Sequence, residues 1–325
     1  MSSELTLFDR QRSQTFSRDS LKARATALAR KGVYIGTSSW KYPGWRGMLY
    51  DEARYLWRGR FAETRFEKYC LTEYAEVFKS VCVDAAYYKF PDRDYIESMV
   101  SQVPPDFLFA FKVTDEIVIK KFPNLPRFGL RAGKPNENFL NVDLFASAFL
   151  GPCERFQPNI GLLILEFSHF YPDDFTQRRD FTDALEPFLA ALPKGWPYGI
   201  EIRNKDYLHE DYFALLRRYG VAHVFNSWGE MPPVHEQLDL PSSITNPGLC
   251  AARFLLKPGR QYDEAVKLFS PYERVQEVNP QARAAGARLI REGLAAGPER
   301  KTFIYVNNRL EGNALGTIEA MCQEE

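Results

Sequence analysis

Short runs rich in β-branched and aromatic residues recur along the whole chain. They are VYIGTSSW from Val33, VCVDAAYY from Val81, FLFAFKVT from Phe107, GLLILEF from Gly161, YGIEIR from Tyr198, AHVFNSW from Ala222, AARFLL from Ala251 and TFIYVNN from Thr302. Between them, apolar positions return at helical spacing. The clearest case is Phe61 to Lys79, where Phe61, Phe66, Tyr69, Tyr74, Val77 and Phe78 approximate one face. The same spacing predicts helices over Tyr95–Val103, Val142–Phe156, Phe181–Leu192, Tyr212–Tyr219 and Gln281–Ala296. Strand and helix alternate, which predicts a parallel sheet joined by crossover helices. Eight such units over roughly 290 residues match a TIM-like (β/α)8 barrel of the α/β class. An open doubly wound sheet is the rival. It expects a G-x-G-x-x-G loop after its first strand, and GTSSWKYPGWRG is not one.

The ends and long connections fit this frame. The first eighteen or so residues are polar and rich in Ser and Arg, as in a chain-terminal tail. SLKARATALAR, from Ser20, reads as a helix capped by Asp19 or Ser20 and stopped by Gly32. The expected organisation is a tail and short helix over 1–31, then one barrel domain over 32–325. Glu116–Asn141 and Gly229–Cys250 are rich in Pro and Gly, follow strand ends, and read as loops over the rim of the barrel.

Strand alternation also sorts side chains by face. In YGIEIR, Ile200 and Ile202 take the helix-facing side, leaving Gly199, Glu201 and Arg203 inside. By the same parity Cys82, Asp84, Ala86, Ala110, Lys112, Thr114, Glu166, Arg253, Leu255, Tyr305 and Asn307 point inward. Charges near a barrel interior are costly unless they are paired or used. These converge on the C-terminal half of the barrel, the end that carries the active site in barrel enzymes. As a purely structural device, Glu201 with Arg203 or Lys112 would be an ion-pair plug. As a site, Lys112, Arg203 and Arg253 form a surplus of cations that calls for a phosphate or carboxylate partner. Aromatic residues gather at the same end: Trp40, Tyr42 and Trp45 after the first strand, Tyr87 and Tyr88 after the second, Trp228 after the sixth. They read as loop packing or as a stacking wall.

Composition narrows the classes. The 42 basic and 42 acidic residues cancel, so no overall field recruits nucleic acid or an anionic membrane. Five scattered cysteines, none in a C-x-x-C pair, speak against a zinc ribbon and fit a reducing compartment. No signal-peptide pattern and no window of about 20 apolar residues is present, so a cytoplasmic location is expected. Of four histidines, His169 stands nearest the inward acids, but no H-x-H or H-E-x-x-H spacing accompanies it. No G-x-S-x-G elbow offers a serine nucleophile.

GTSSWKYPGW, FKSVCVDAAYYKFP, PPDFLFAFKVT, YGIEIRNKDYL and FIYVNNRLEGNA occur in the order found in the YecE-like family, which the chain resembles over about residues 32–320. The resemblance implies a barrel related to the TIM fold and brings no established activity, substrate or cofactor. The family's recurring polar positions fall on Trp40, Tyr88, Lys112, Glu201, Arg203, Arg253, Asn307, Asn308 and Gly312. The chain departs from the pattern at Cys82 and Asp84, where the family carries Glu and Asn. It departs again at LEFSHF after the fourth strand and at LLKPG, where a histidine is absent. These departures mark a divergent branch.

The leading expectation is a barrel that binds or transforms a small anionic ligand at its C-terminal mouth. Glu201 and Lys112 are the candidate catalytic groups, with Glu201 as general acid or base. Arg203 and Arg253 hold the anion with Lys112, Asn307 and Asn308 orient it, and Asp84, Trp40 and Tyr88 complete the contacts. The alternatives are a divalent-metal enzyme built on Asp84, Glu166, His169 and Glu201, or a nucleic-acid- or protein-binding module using the aromatic rim. No cofactor and no oligomeric state is indicated.

Overall fold

The computed structural model describes residues 16–324. The tail expected at the N-terminus therefore lies almost wholly outside the described residues. Eight parallel strands run round the molecule: β1 (Val33–Thr37), β4 (Ser80–Val83), β5 (Leu108–Lys112), β6 (Ile160–Phe167), β7 (Tyr198–Ile202), β8 (Ala222–Asn226), β9 (Leu249–Phe254) and β10 (Lys301–Val306). A small antiparallel hairpin, β2 (Leu56–Trp57) with β3 (Arg60–Phe61), sits in the first crossover. The hydrogen-bonded order is β1-β10-β9-β8-β7-β6-β5-β4, a nearly closed barrel surrounded by helices.

The remaining join, between β1 and β4, carries no backbone ladder. Side chains close it instead. The Tyr74 hydroxyl donates to the Ser80 carbonyl at 3.1 Å, accepts from the Thr37 amide at 3.0 Å, and lies 2.9 Å from Thr37 Oγ1. Gly36 permits the approach, since a Cβ there would sit 2.2 Å from the Ser80 carbonyl oxygen. The Ser80 hydroxyl meets Tyr305 Oη at 2.6 Å, tying β4 to β10 through the interior.

The expected helices appear as Glu63–Val77, Arg93–Val100, Arg178–Ala191, Glu210–Arg218 and Pro280–Ala296. Val142–Phe156 differs. Its turns run from α-helix through a wide-turn segment at Phe145–Leu150 to a 3₁₀ stretch at Glu154–Asn159 that contains Pro158. The N-terminal helix is Arg18–Arg30 and its cap is Ser17, whose hydroxyl accepts from the Ser20 amide, rather than Asp19 or Ser20. Gly229–Cys250 is not a rim loop alone, because Val234–Asp239 is helical within it and returns the chain to the next parallel strand.

The inside of the barrel is layered, as the alternation predicts. Tyr34, Leu108, Leu162, Leu249 and Phe303 fill its N-terminal part, with Cys82, Ala110, Ile164, Val224, Ala251 and Tyr305 above them. Gly161 makes room for Phe303, whose ring would lie 2.5 Å from a Cβ. Ile200, Ile202, Phe109 and Phe111 point the other way, into the larger core beneath the helices.

Candidate functional site

Two residues further along five of these strands, the apolar layer gives way to charge. Cys82 is followed by Asp84, Ala110 by Lys112, Ile164 by Glu166, Gly199 by Glu201, and Ala251 by Arg253. Arg203 joins them from the end of β7. Glu166 and Glu201 are register partners on adjacent strands, an arrangement of like charges that is destabilising alone. Arg253 resolves it. Its Nη1 donates to Glu166 Oε2 at 2.7 Å and to Glu201 Oε2 at 2.8 Å, while Nη2 donates to Asp84 Oδ1 at 3.0 Å.

Glu166 is the matching hub among the acids. Its Oε2 lies 2.7 Å from Arg203 Nη2, 2.7 Å from Arg253 Nη1 and 2.9 Å from Lys112 Nζ. Arg203 Nη2 also approaches Glu201 Oε1 at 2.6 Å, an off-axis ion contact rather than a hydrogen bond. Lys112 reaches Asp84 at 3.9 Å and lies 4.1 Å above the Tyr87 ring, and Arg203 covers Trp228 at 4.5 Å. The cluster thus holds three cations and three acids. The expected surplus of cations is corrected by this count, because Glu166 faces all three.

Burial pushes the Glu166 carboxyl up, but Arg203, Lys112 and Arg253 outweigh it and hold it well below the usual carboxylate range. Burial acts against the Lys112 ammonium, yet Glu166 and Asp84 raise it above the ordinary lysine value. Glu166 is thus held as a carboxylate and Lys112 as an ammonium, each by the charges around it.

Above the cluster opens a mouth cavity of about 510 Å³. Asp84, Tyr88, Lys112, Arg203, Arg253 and Asn307 line it, so the structure brings six of the expected residues together. Glu201 does not line it. It is fully buried beneath the floor and occupied by Arg203 and Arg253, not by Lys112. Trp40 and Asn308 also lie off the cavity. Trp40 is buried in the core, and Asn308 Oδ1 accepts from Trp45 Nε1 at 3.2 Å and from the Ala314 amide at 2.8 Å. Asn308 is a helix-end clamp.

The last motif, NNRLEGNA, divides by the same logic. Buried Glu311 binds Arg283 and the Asn279 amide, and Asn313 caps the final helix, Ala314–Gln323. Asn307 and Arg309 are left at the mouth. Arg309 Nη1 donates to Asn307 Oδ1 at 3.2 Å and Nη2 to Tyr262 Oη at 2.9 Å, and no carboxylate among the described residues pairs with it. The sequence reading missed Arg309, since strand parity does not extend into a loop. It also underrated Glu166, whose face is legible but whose neighbours across the barrel are not. The oxygen set of the metal alternative is committed to cations, and the described residues contain no group of three or more His, Cys, Asp or Glu arranged to hold a metal. His169 stands at the rim with Nδ1 3.3 Å from the Arg203 carbonyl oxygen.

The model of a family described as "Protein of unknown function DUF72" matches residues 34–324. No curated protein matches the chain. Among solved structures, a DUF72 family protein from Enterococcus faecalis V583 aligns with a TM-score of 0.56 at 17% identity, covering 90% of this chain and 97% of its own. A DUF72 family protein from Thermotoga maritima MSB8 aligns with a TM-score of 0.53 at 17% identity, with the same coverage. At that identity the likeness speaks for the fold, and the family model speaks for membership. The chain belongs to the DUF72 family of proteins of unknown function.

Proposed function

We propose that this barrel binds a small anionic molecule, bearing a phosphate or carboxylate, at its C-terminal mouth. The observation that carries the reading is Arg309. The buried cluster below is neutral as a set, whereas Arg309 faces the cavity with polar but no acidic partners. Glu230, the other acid of the lining, stands exposed on the rim, where solvent screens it. A guanidinium with donors to spare beside the Asn307 amide suits a phosphate or carboxylate oxygen. The buried, unbridged thiols of Cys70, Cys82, Cys153 and Cys250, each pushed up to about 12 by burial, fit work in the reducing cytoplasm.

Calorimetry and thermal melts with inorganic phosphate, ethyl phosphate and acetate test the reading. At least one of these anions should bind, and Arg309→Met should weaken it by about tenfold or more, the loss of one charge-assisted hydrogen bond. Arg309 is only partly buried, so this variant retains the fold. Unchanged affinity in Arg309→Met, or no binding by the parent, would sink the proposal.

A further inference from the structure

A second cavity, of about 690 Å³, lies beside the mouth. Ile119, Phe122, Pro123, Phe170, Tyr171 and Pro172 give it a mainly apolar wall. Ser168 and His169 line both cavities, so the two spaces meet along the segment that follows β6. Chain direction explains the meeting. Glu166 points into the barrel, Phe167 packs outward under the helices, and the next residues leave the strand over the rim. His169 is exposed and Ser168 half-buried, with its hydroxyl 3.3 Å from Tyr87 Oη. These two polar side chains, near the solvent edge, form the ridge that the cavities share.

Aromatic residues of the second cavity are packed from behind. Phe122 is braced by Phe128 at 5.1 Å and by the Arg131 guanidinium at 4.5 Å, and Phe170 by Phe175 at 5.0 Å and Phe181 at 5.1 Å. The Lys120 ammonium is held over the Phe175 ring at 3.5 Å and donates to the Asp174 carbonyl. The mouth, for its part, is far larger than a lone phosphate or carboxylate group needs, and either cavity has the size of a small-molecule site.

Resting on the anion-binding reading of the mouth, we infer that the ligand is an elongated amphipathic anion. Its phosphate or carboxylate head sits by Arg309 and Asn307, and an apolar acyl or aryl body crosses the ridge at Ser168 and His169 to lie against Phe122, Phe170 and Tyr171. The ligand class is thus a free small molecule with one charged end. The mouth supplies orientation and the side compartment supplies burial of apolar area.

A homologous series of monoalkyl phosphates from ethyl to octyl, kept monomeric and titrated by calorimetry, tests this. Once the alkyl chain passes the ridge, each added methylene should tighten binding by about fourfold. Tyr171 is exposed, so Tyr171→Ser and Tyr171→Asp keep the fold. Both should flatten the chain-length dependence while leaving ethyl phosphate binding within about twofold, the Asp variant more completely because it sets a charge against the alkyl chain. A flat series in the parent, with ethyl phosphate still bound and still sensitive to Arg309→Met, overturns the second compartment and leaves the anion site standing. A steep series unaltered in both Tyr171 variants also overturns it, by putting the alkyl chain elsewhere. Failure of every member, ethyl phosphate included, defeats the anion reading and this inference together.

Discussion

The lower and upper halves of the barrel interior are made by the same strands with the same alternation, yet they are held together by opposite means. Below, Ala110, Ile164, Val224 and Ala251 pack as an apolar layer in which each contact is small and replaceable. Two residues higher, Lys112, Glu166, Glu201 and Arg253 form a set in which each charge depends on the others. A well-packed apolar layer loses stability in proportion to the volume removed. A buried ion network does not, because removing one member strands its partners without water. The upper layer is costly to keep as structure alone, which is why it is the place to look for function.

The sharpest break in that comparison is Glu201→Gln. The change conserves shape but withdraws the charge that answers Arg203 and Arg253 in a fully buried position. It should lower unfolding free energy by about 3 kcal/mol, measured by denaturant melts at neutral pH. A stability equal to the parent's would mean that the network is not interdependent.

Acid should next separate the charged layer from the packing outside it. His223 lies on the outward face of β8 among Tyr212, Phe213 and Phe225, and burial pushes its pKa down to about 3 from the ordinary 6.5. Between those values the unfolded chain holds a proton that the folded chain lacks, so stability falls as pH falls. The loss from pH 7 to pH 5 should be about 2 kcal/mol. Glu166 acts in a lower window. Its folded pKa is depressed, so its contribution is intact above the ordinary carboxyl value of 4.5 and drains away only below it. His223→Leu should therefore remove most of the loss between pH 7 and pH 5, leaving the smaller share of His209, whose pKa burial also lowers, and keep the loss below pH 4.5. Equal slopes in parent and variant over the upper window would remove His223 as its cause.

The smallest effect belongs to the apolar layer. Ile164→Val takes one methylene from a packed interior and should cost about 1 kcal/mol, with no change in the affinity of any anion. A loss as large as that of Glu201→Gln would erase the distinction between the two layers.

Much of this architecture was legible from residue order. Period-two alternation in YGIEIR put Glu201 inside and Ile200 and Ile202 outside, because a strand allows no other arrangement. Alternation gives a face, however, and not a partner. That Glu166 would answer Lys112, Arg203 and Arg253 at once depends on the stagger of β5, β6, β7 and β9 round the barrel, which no local pattern encodes. The same limit produced the mistaken excess of cations. In the loops the limit is stricter. Asn307 and Asn308 are adjacent and chemically identical, yet one faces the mouth and the other clamps Trp45 and the last helix, a division set by the turn between them. Trp40 was drawn to the rim by its place after β1, and the chain instead turns it into the core.

The join between β1 and β4 gives the ring a mechanical asymmetry. Seven of its eight contacts are backbone ladders, and the eighth is a clasp made by Tyr74, Thr37 and Ser80. A hoop with one clasp does not strain evenly. The one join without a backbone ladder lies across the barrel from β7 and β8. β7, which carries Glu201 and leads into Arg203, thus sits on the side of the hoop opposite its clasp.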